Sequence, residues 1–255
     1  MVELHWRSFR DEIDRWRHAG RDIEFWWRDD DACRPDPVLS RLCALSGSSG
    51  VPLALAAIPA HAEKAAFDGL PPSVTVIQHG ADHRSRATLT QKKTEFPEEE
   101  AVAAALQRLA SGRERLQAAA GGAMVPVLAP PWNRVHPALA ASLGAAGYWG
   151  LSTYGARKLV PREWGLVQVN THVDIIDWKG TRGFVGEASA LGQATRHLAA
   201  RREGAVDAGE PIGWLTHHAV HDEAAWAFLA KLFEMTQAIP GVRWRTVREL
   251  FGNRK

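Results

Sequence analysis

Three aspartates in a row, Asp29-Asp30-Asp31, close an apolar run, Ile23-Glu24-Phe25-Trp26-Trp27-Arg28, that reads as a buried strand. Adjacent carboxylates at a strand end repel one another and resist burial. A divalent cation, a nearby arginine or shared protons would relieve them. The bland alternative is a solvated acidic turn ahead of a helix that starts near Asp36, because loops carry Asp for turn reasons too. His79 and His83 are spaced i, i+4. If a helical turn begins at His79, both imidazoles lie on one face and can grip a single metal. One carboxylate added to them gives a two-His, one-Asp site with open positions for water and substrate. Alone, such a pair is more often two surface histidines in a polar loop. Further groups change those odds, because they too follow apolar runs: Pro131 with Trp132, Asp177 with Trp178, and His217. The stretch His217-His218-x-x-His221 is ambiguous. His217 ends an apolar run and is expected to face the site, whereas a second metal site there has little behind it.

The elements that must position these groups alternate along the chain. Trp6, Phe9, Ile13 and Trp16 have helical spacing and predict an amphipathic helix over 5–19, laid on the outside of the fold. Strands are expected at 23–28, 51–58, 74–77, 124–128, 148–152, 166–170 and 212–215. Helices are expected at 35–45, 60–67, 137–146, 187–203 and 221–237, with a short terminal piece over 242–250. Pro97 followed by Glu98, Glu99 and Glu100 predicts one more helix start, since proline suits a first turn and acids suit the positive dipole end. That helix would run to about 119, where Gly121-Gly122 stops it. About seven strands alternating with helices imply an α/β fold with parallel pairing and helices outside. No repeat, low-complexity tract or linker interrupts the pattern, so one domain over 1–255 is expected. In a parallel barrel the loops after the strands meet at one face, where chemistry is built. An eight-stranded barrel is the nearest alternative, and an open doubly wound sheet the next.

Composition narrows the partners. A net charge of +2, with no dense Lys/Arg run, gives no case for nucleic acid. No stretch of 18 or more apolar residues argues for a membrane span. The start, Met1 to Arg7, has no apolar signal-peptide core, so the cytoplasm is the default expectation. Cys33 and Cys43 make neither a metal nor a redox motif. Eleven tryptophans are many, and their faces suit sugars as well as cores.

Taken together, the stretches over about 23–220 resemble the polysaccharide deacetylase homology domain, carbohydrate esterase family 4, with its motifs in order. That family's Thr-Phe-Asp-Asp-Gly motif resembles Arg28-Asp29-Asp30-Asp31-Ala32. The resemblance implies Asp30 as catalytic base and Asp31 as metal ligand; a shift of one residue would make them Asp29 and Asp30. The His-Ser/Thr-x-x-His motif is similar to His79-Gly80-Ala81-Asp82-His83 and implies His79 and His83 as the remaining ligands. The Arg-x-Pro-Tyr/Trp motif is similar to Ala129-Pro130-Pro131-Trp132, implying an oxyanion contact from the Trp132 backbone N–H. Asp-x-x-Asp-Trp resembles Asp174-Ile175-Ile176-Asp177-Trp178, and Leu-x-His resembles Leu215-Thr216-His217. These imply His217 as general acid, with Asp177 orienting it.

Ala129 stands where the family carries arginine, and Arg28 or Arg134 is the candidate replacement. Ala32 replaces a glycine, Gly80 replaces a hydroxyl residue, and Arg84 stands where the family often has proline. The resemblance is therefore to a divergent branch. It implies a distorted (β/α)7 barrel with a helical N-terminal extension. The implied activity is metal-dependent removal of an acetyl group from an N-acetylated sugar or oligosaccharide. Pro131, Trp178, Arg28 and Arg134 would contact substrate. The implied cofactor is a divalent metal, zinc ahead of cobalt, nickel or manganese. Two other functions fit the same residues: a C–N hydrolase acting on a small non-sugar amide, and a carbohydrate-binding protein without catalysis.

Overall fold

The computed structural model describes residues 2–158 and 161–252. Its framework is a parallel sheet in the order β6-β5-β4-β3-β2-β1-β8-β7, curled into a distorted barrel, with β9 also paired to β1. The strands are β1 (Ile23–Ala32), β2 (Leu53–Ala57), β3 (Val74–His79), β4 (Met124–Ala129), β5 (Gly150–Leu151), β6 (Val167–Gln168), β7 (Val173–Asp174), β8 (Ile212–Thr216) and β9 (Val242–Trp244). Among the described residues the expected seven become nine, because β7 and β9 are two and three residues long, too short to show a period. Around the sheet lie α1 (Val2–His18), α2 (Pro37–Ser49), α3 (Val102–Ala120), α4 (Pro137–Ser142), α5 (Glu187–Arg202), α6 (Glu223–Gln237) and α7 (Val247–Phe251). None of the described helices is long and apolar enough to cross a membrane.

β1 lies at the middle of the sheet, between β2 and β8. Its side chains alternate, as a strand's must. Phe25 and Trp27 enter the larger core, shared with residues of α1, α2, α5 and α6. Trp26 enters a second core on the other sheet face, with Ala54, Ile77, Val127 and Phe251. Gly213 beside it can only be glycine: a Cβ there would lie 2.4 Å from Trp26 Nε1. The predicted apolar face of α1 is buried through Trp6, Phe9, Ile13 and Trp16, and Trp16 Nε1 donates to the Leu198 carbonyl of α5 at 3.1 Å.

Two helix expectations change. Residues 97–101 form a turn, with Glu100 N–H donating to the Pro97 carbonyl at 3.2 Å, and α3 begins five residues later than predicted. Glu100 ion-pairs with Arg108 instead of serving a first helical turn. The segment 60–67 folds as two separate 3-10 turns, Pro59–His61 and Lys64–Ala66.

Candidate active site

The C-terminal ends of β1, β3, β4 and β8 bring the predicted residues to one face. Strict alternation would send Asp29 and Asp31 to one side of β1 and Asp30 to the other. The register of β1 on β2 breaks between Asp29 and Ala32, and Asp31 has a left-handed φ of +76°. Such a bulge re-aims a side chain. Asp31 Oδ1 then lies 3.3 Å from His79 Nε2 and 3.3 Å from His83 Nε2. Of the carboxylates in the two registers left open by sequence, Asp31 is the one that lies against both imidazoles, with Asp30 next to it in the chain. Asp29 turns away and is wholly buried, joining β1 to the segment after β8. It accepts from Thr216 Oγ1 at 2.6 Å and from His218 N–H at 2.9 Å, and meets His218 Nδ1 at 2.5 Å.

His79 and His83 converge without the helical turn expected. His79 is the last residue of β3, and Gly80 (φ +63°) and His83 (φ +56°) reverse the chain through left-handed conformations. Glu95 holds this loop from behind, its carboxylate accepting the N–H groups of Ala81 at 2.8 Å, Asp82 at 3.2 Å and His83 at 3.2 Å. A Cβ on Gly80 would sit 2.1 Å from Glu95 Oε2. The departure from Ser/Thr at Gly80 and the presence of Glu95 are thus one feature. Sequence reasoning missed Glu95, a single acid in a polar loop with no periodicity to mark it.

Asp31, His79 and His83 present ligand atoms within 4.8 Å of one another. His79 Nδ1 meets the Ala129 carbonyl at 2.9 Å, which places the ring proton on Nδ1 and leaves the Nε2 lone pair facing Asp31. Asp31 Oδ1 is buried and makes no hydrogen bond. A lone pair facing a buried carboxylate oxygen fits a cation between them. Burial disfavours the Asp31 charge, but the close approach of His79, with His217 and His83, outweighs it and holds its carboxyl below the usual range. Burial likewise opposes a charge on His79, yet Asp30 and Asp31 raise its proton affinity. A divalent cation competes for that same negative potential. His83 is pushed down by burial and then by His79, toward the neutral, ligating form.

Asp30 is gripped by Arg28. Nε lies 2.9 Å from Oδ1 and Nη2 lies 3.0 Å from Oδ2. The same guanidinium donates to the Ser152 carbonyl at 3.0 Å, Ser152 Oγ at 2.7 Å and Asn133 Oδ1 at 2.6 Å. Arg28 therefore sets a positive charge against Asp30. Arg134 does not: it donates to the Lys93 carbonyl at 2.7 Å, away from Asp30.

His217 Nε2 stands 4.0 Å from Asp30 Oδ2, and its ring meets Trp178 edge-on at 4.6 Å. Asp177 does not orient it. The Asp177 carboxylate accepts the N–H groups of Gly180 at 3.0 Å and Thr181 at 3.3 Å, closing its own turn. Burial pushes the Asp174 carboxyl up while the His217 charge draws it down, and this carboxylate accepts Trp178 Nε1 at 2.9 Å. Trp178 is 40% exposed and Trp132 half-buried, so neither is ordinary core. Trp132 (φ +55°) packs against His83 with ring centres 4.7 Å apart and planes tilted by 47°, and among the described residues no hydrogen bond engages its backbone N–H.

A second group, His172, His197 and Glu210, has comparable proximity but the wrong tautomer for a cation. His172 Nδ1 accepts Gly213 N–H at 3.1 Å, so its proton sits on Nε2, the atom facing Glu210 at 3.3 Å.

No family model matches the chain, and none of the curated proteins matches at a significant level. Solved structures do match. A polysaccharide deacetylase assignment from Mycobacterium smegmatis superposes with TM-score 0.65 at 16% identity, covering 92% of this chain and 91% of that one. T48 deacetylase, solved with substrate, gives 0.55 at 18% identity, covering 93% and 94%. A family 4 acetyl xylan esterase from Clostridium thermocellum, solved with a cobalt ion, gives 0.51 at 16% identity, covering 90% of each. The chain has the fold of polysaccharide deacetylases and family 4 carbohydrate esterases.

Proposed function

We propose that this chain, read as one polysaccharide-deacetylase-like domain, removes an acetyl group from an N-acetylated sugar or oligosaccharide in a metal-dependent hydrolysis. The observation that carries the reading is the meeting of Asp31, His79 and His83 beside an Arg28-clamped Asp30 with His217 across from it. Asp31, His79 and His83 would hold the cation, zinc ahead of cobalt, nickel or manganese, since imidazole and carboxylate suit all four. When bound, such an ion acts as a Lewis acid on the acyl group and on the attacking water.

The chain's own residues supply the rest. Asp30, oriented by Arg28, takes the proton of the attacking water. The Trp132 N–H donates to the oxygen on which negative charge develops. His217 Nε2 delivers a proton to the departing nitrogen, which is otherwise a poor leaving group. Trp132 and Trp178 wall the acetyl group, with Pro131 beneath the turn that carries Trp132.

The test is acetate release from chitooligosaccharides, beside simple amides, together with elemental analysis of the purified protein. His79→Ala is expected to lose bound metal and activity together. An active, metal-replete His79→Ala protein would overturn the reading.

A further inference from the structure

A groove of about 680 Å³ opens on the same face, beside the candidate centre. Its size lies within the roughly 300–1,000 Å³ usual for small-ligand sites. Two partners of Arg28 join it to that centre. Asn133 lines the groove and accepts from Arg28, and Ser152 lies between the lining residues Leu151 and Thr153. The groove is therefore placed to take the part of a substrate that extends away from Asp30.

Its charge is one-sided. Lys92, Arg134 and Lys158 line it, against a single lining acid, Glu98. None of these three cations makes an ion pair among the described residues, and Arg134 is steadied by its bond to the Lys93 carbonyl. Cations grouped on a concave wall focus potential into the space they enclose. A second, independent observation is His136, only 7% exposed. Its Nδ1 accepts Leu139 N–H at 3.3 Å, so the ring proton is on Nε2. That Nε2 is buried and has no hydrogen-bond partner, in a residue that lines the groove. A buried donor left unpaired is costly, and an acceptor on a ligand would satisfy it. Tyr154, 44% exposed at the same wall, offers a ring face of the kind sugars lie against.

We propose that this groove binds an anionic substituent, a phosphate or a carboxylate, carried on the N-acetylated saccharide, so that the preferred substrate is an acidic sugar. The proposal rests on the deacetylase reading for what happens at the acetyl group, but not for the binding of the anion. Binding and turnover are therefore measured separately on the full metal-loaded chain. Calorimetry compares N-acetylglucosamine 1-phosphate, N-acetylglucosamine 6-phosphate and N-acetylmuramic acid with the neutral N,N′-diacetylchitobiose.

At least one acidic sugar is expected to bind about tenfold tighter than the neutral one, with the preference collapsing near about 0.5 M salt, where exposed charges are screened. In the Lys92→Ala/Lys158→Ala double variant the acidic-over-neutral ratio should fall toward one, in binding and in kcat/KM alike. His136→Phe provides a second variant that removes the donor without changing a lysine, and should lower the same ratio. Equal binding of neutral and acidic sugars, or a ratio unmoved by both variants, overturns the proposal. Inorganic phosphate binding as tightly as the sugar phosphates also overturns it, assigning the groove to a free anion. Tight acidic-sugar binding with no acetate release from any substrate would sink the deacetylase reading and leave the groove standing. Acetate release with no anion preference would do the reverse.

Discussion

Arg28 carries more of this site than any ligand does. It is wholly buried, as is nearly all of Asp30, and its planar fork meets that carboxylate through two nitrogens while three further acceptors hold the fork in place. Deleting one partner of a buried pair leaves an uncompensated charge, at a cost of about 3–5 kcal/mol. Arg28→Ala is expected to lose about that much in urea unfolding. Arg28→Lys keeps the charge but not the fork, so its loss should be smaller while kcat still falls. Equal stability of Arg28→Ala and the unaltered protein would contradict the role. Gly80 is the second sensitive position, since any Cβ there meets Glu95 in a left-handed backbone. Gly80→Ser should cost about 1–3 kcal/mol and weaken metal binding roughly tenfold or more, because the loop carrying His83 must shift. Metal titration against a chelator would measure it. At this scale the His79/His83 pair stood out by residue type and spacing, while Asp31 rested on the resemblance, with a shift of one residue left open. Glu95 and Asp174 did not stand out, because each acts through a contact whose partner is set by the turn and not by sequence distance.

Among the elements, β1 was readable as a strand from its apolar run, yet its decisive feature, the bulge at Asp31, leaves no mark in composition. The same holds for the turn at 80–83, where i, i+4 spacing suggested a helix and the left-handed backbone produced the convergence instead. At Pro97 the local helix preference did not prevail: the chain makes a turn there, and Glu100 pairs with Arg108. α5 contributes a titration that can be measured without substrate. Burial, with the charges of His172 and Arg201, pushes His197 down from 6.5 to about 3. The folded protein keeps this ring neutral while the unfolded chain takes a proton below 6.5. The unfolded state therefore binds more protons, and His197 lowers stability progressively as pH falls from about 6.5 toward about 3. His197→Gln, which stays neutral throughout, should flatten the fall of Tm with acid over that window. The quantity to compare is the difference between variant and unaltered protein, because other histidines and the carboxylates contribute to both. A difference constant from pH 7 to pH 4 would show that His197 titrates normally.

Across the whole molecule, alternation of apolar runs and helical segments was enough to give parallel pairing with helices outside, and the family resemblance supplied the distorted barrel. The pairing of β9 with β1 and the insertion of β7 beside β8 were not legible, since strands of two or three residues carry no alternation. The short terminal piece foreseen over 242–250 turns out to matter most through its end. Phe251 of α7 is fully buried in the core that contains Trp26, its ring 6.1 Å from the indole at 76°. Gly150 of β5 makes room for it, for a Cβ there would lie 2.0 Å from Phe251 Cδ1. Trp26 and Arg28 share one face of β1, so this core underlies the clamp on Asp30 without touching the ligands. Truncating a buried phenylalanine typically costs about 3–5 kcal/mol. For a chain of 255 residues that corresponds to a fall in Tm of roughly 6–20 °C. Phe251→Ala should show that fall while its metal affinity at 25 °C stays within about threefold, because distant sites without shared partners act nearly additively. A Phe251→Ala protein with unchanged Tm but weakened metal binding would mean that the barrel interior and the ligand loops form one coupled unit, and that this division into a supporting core and a separate site is wrong.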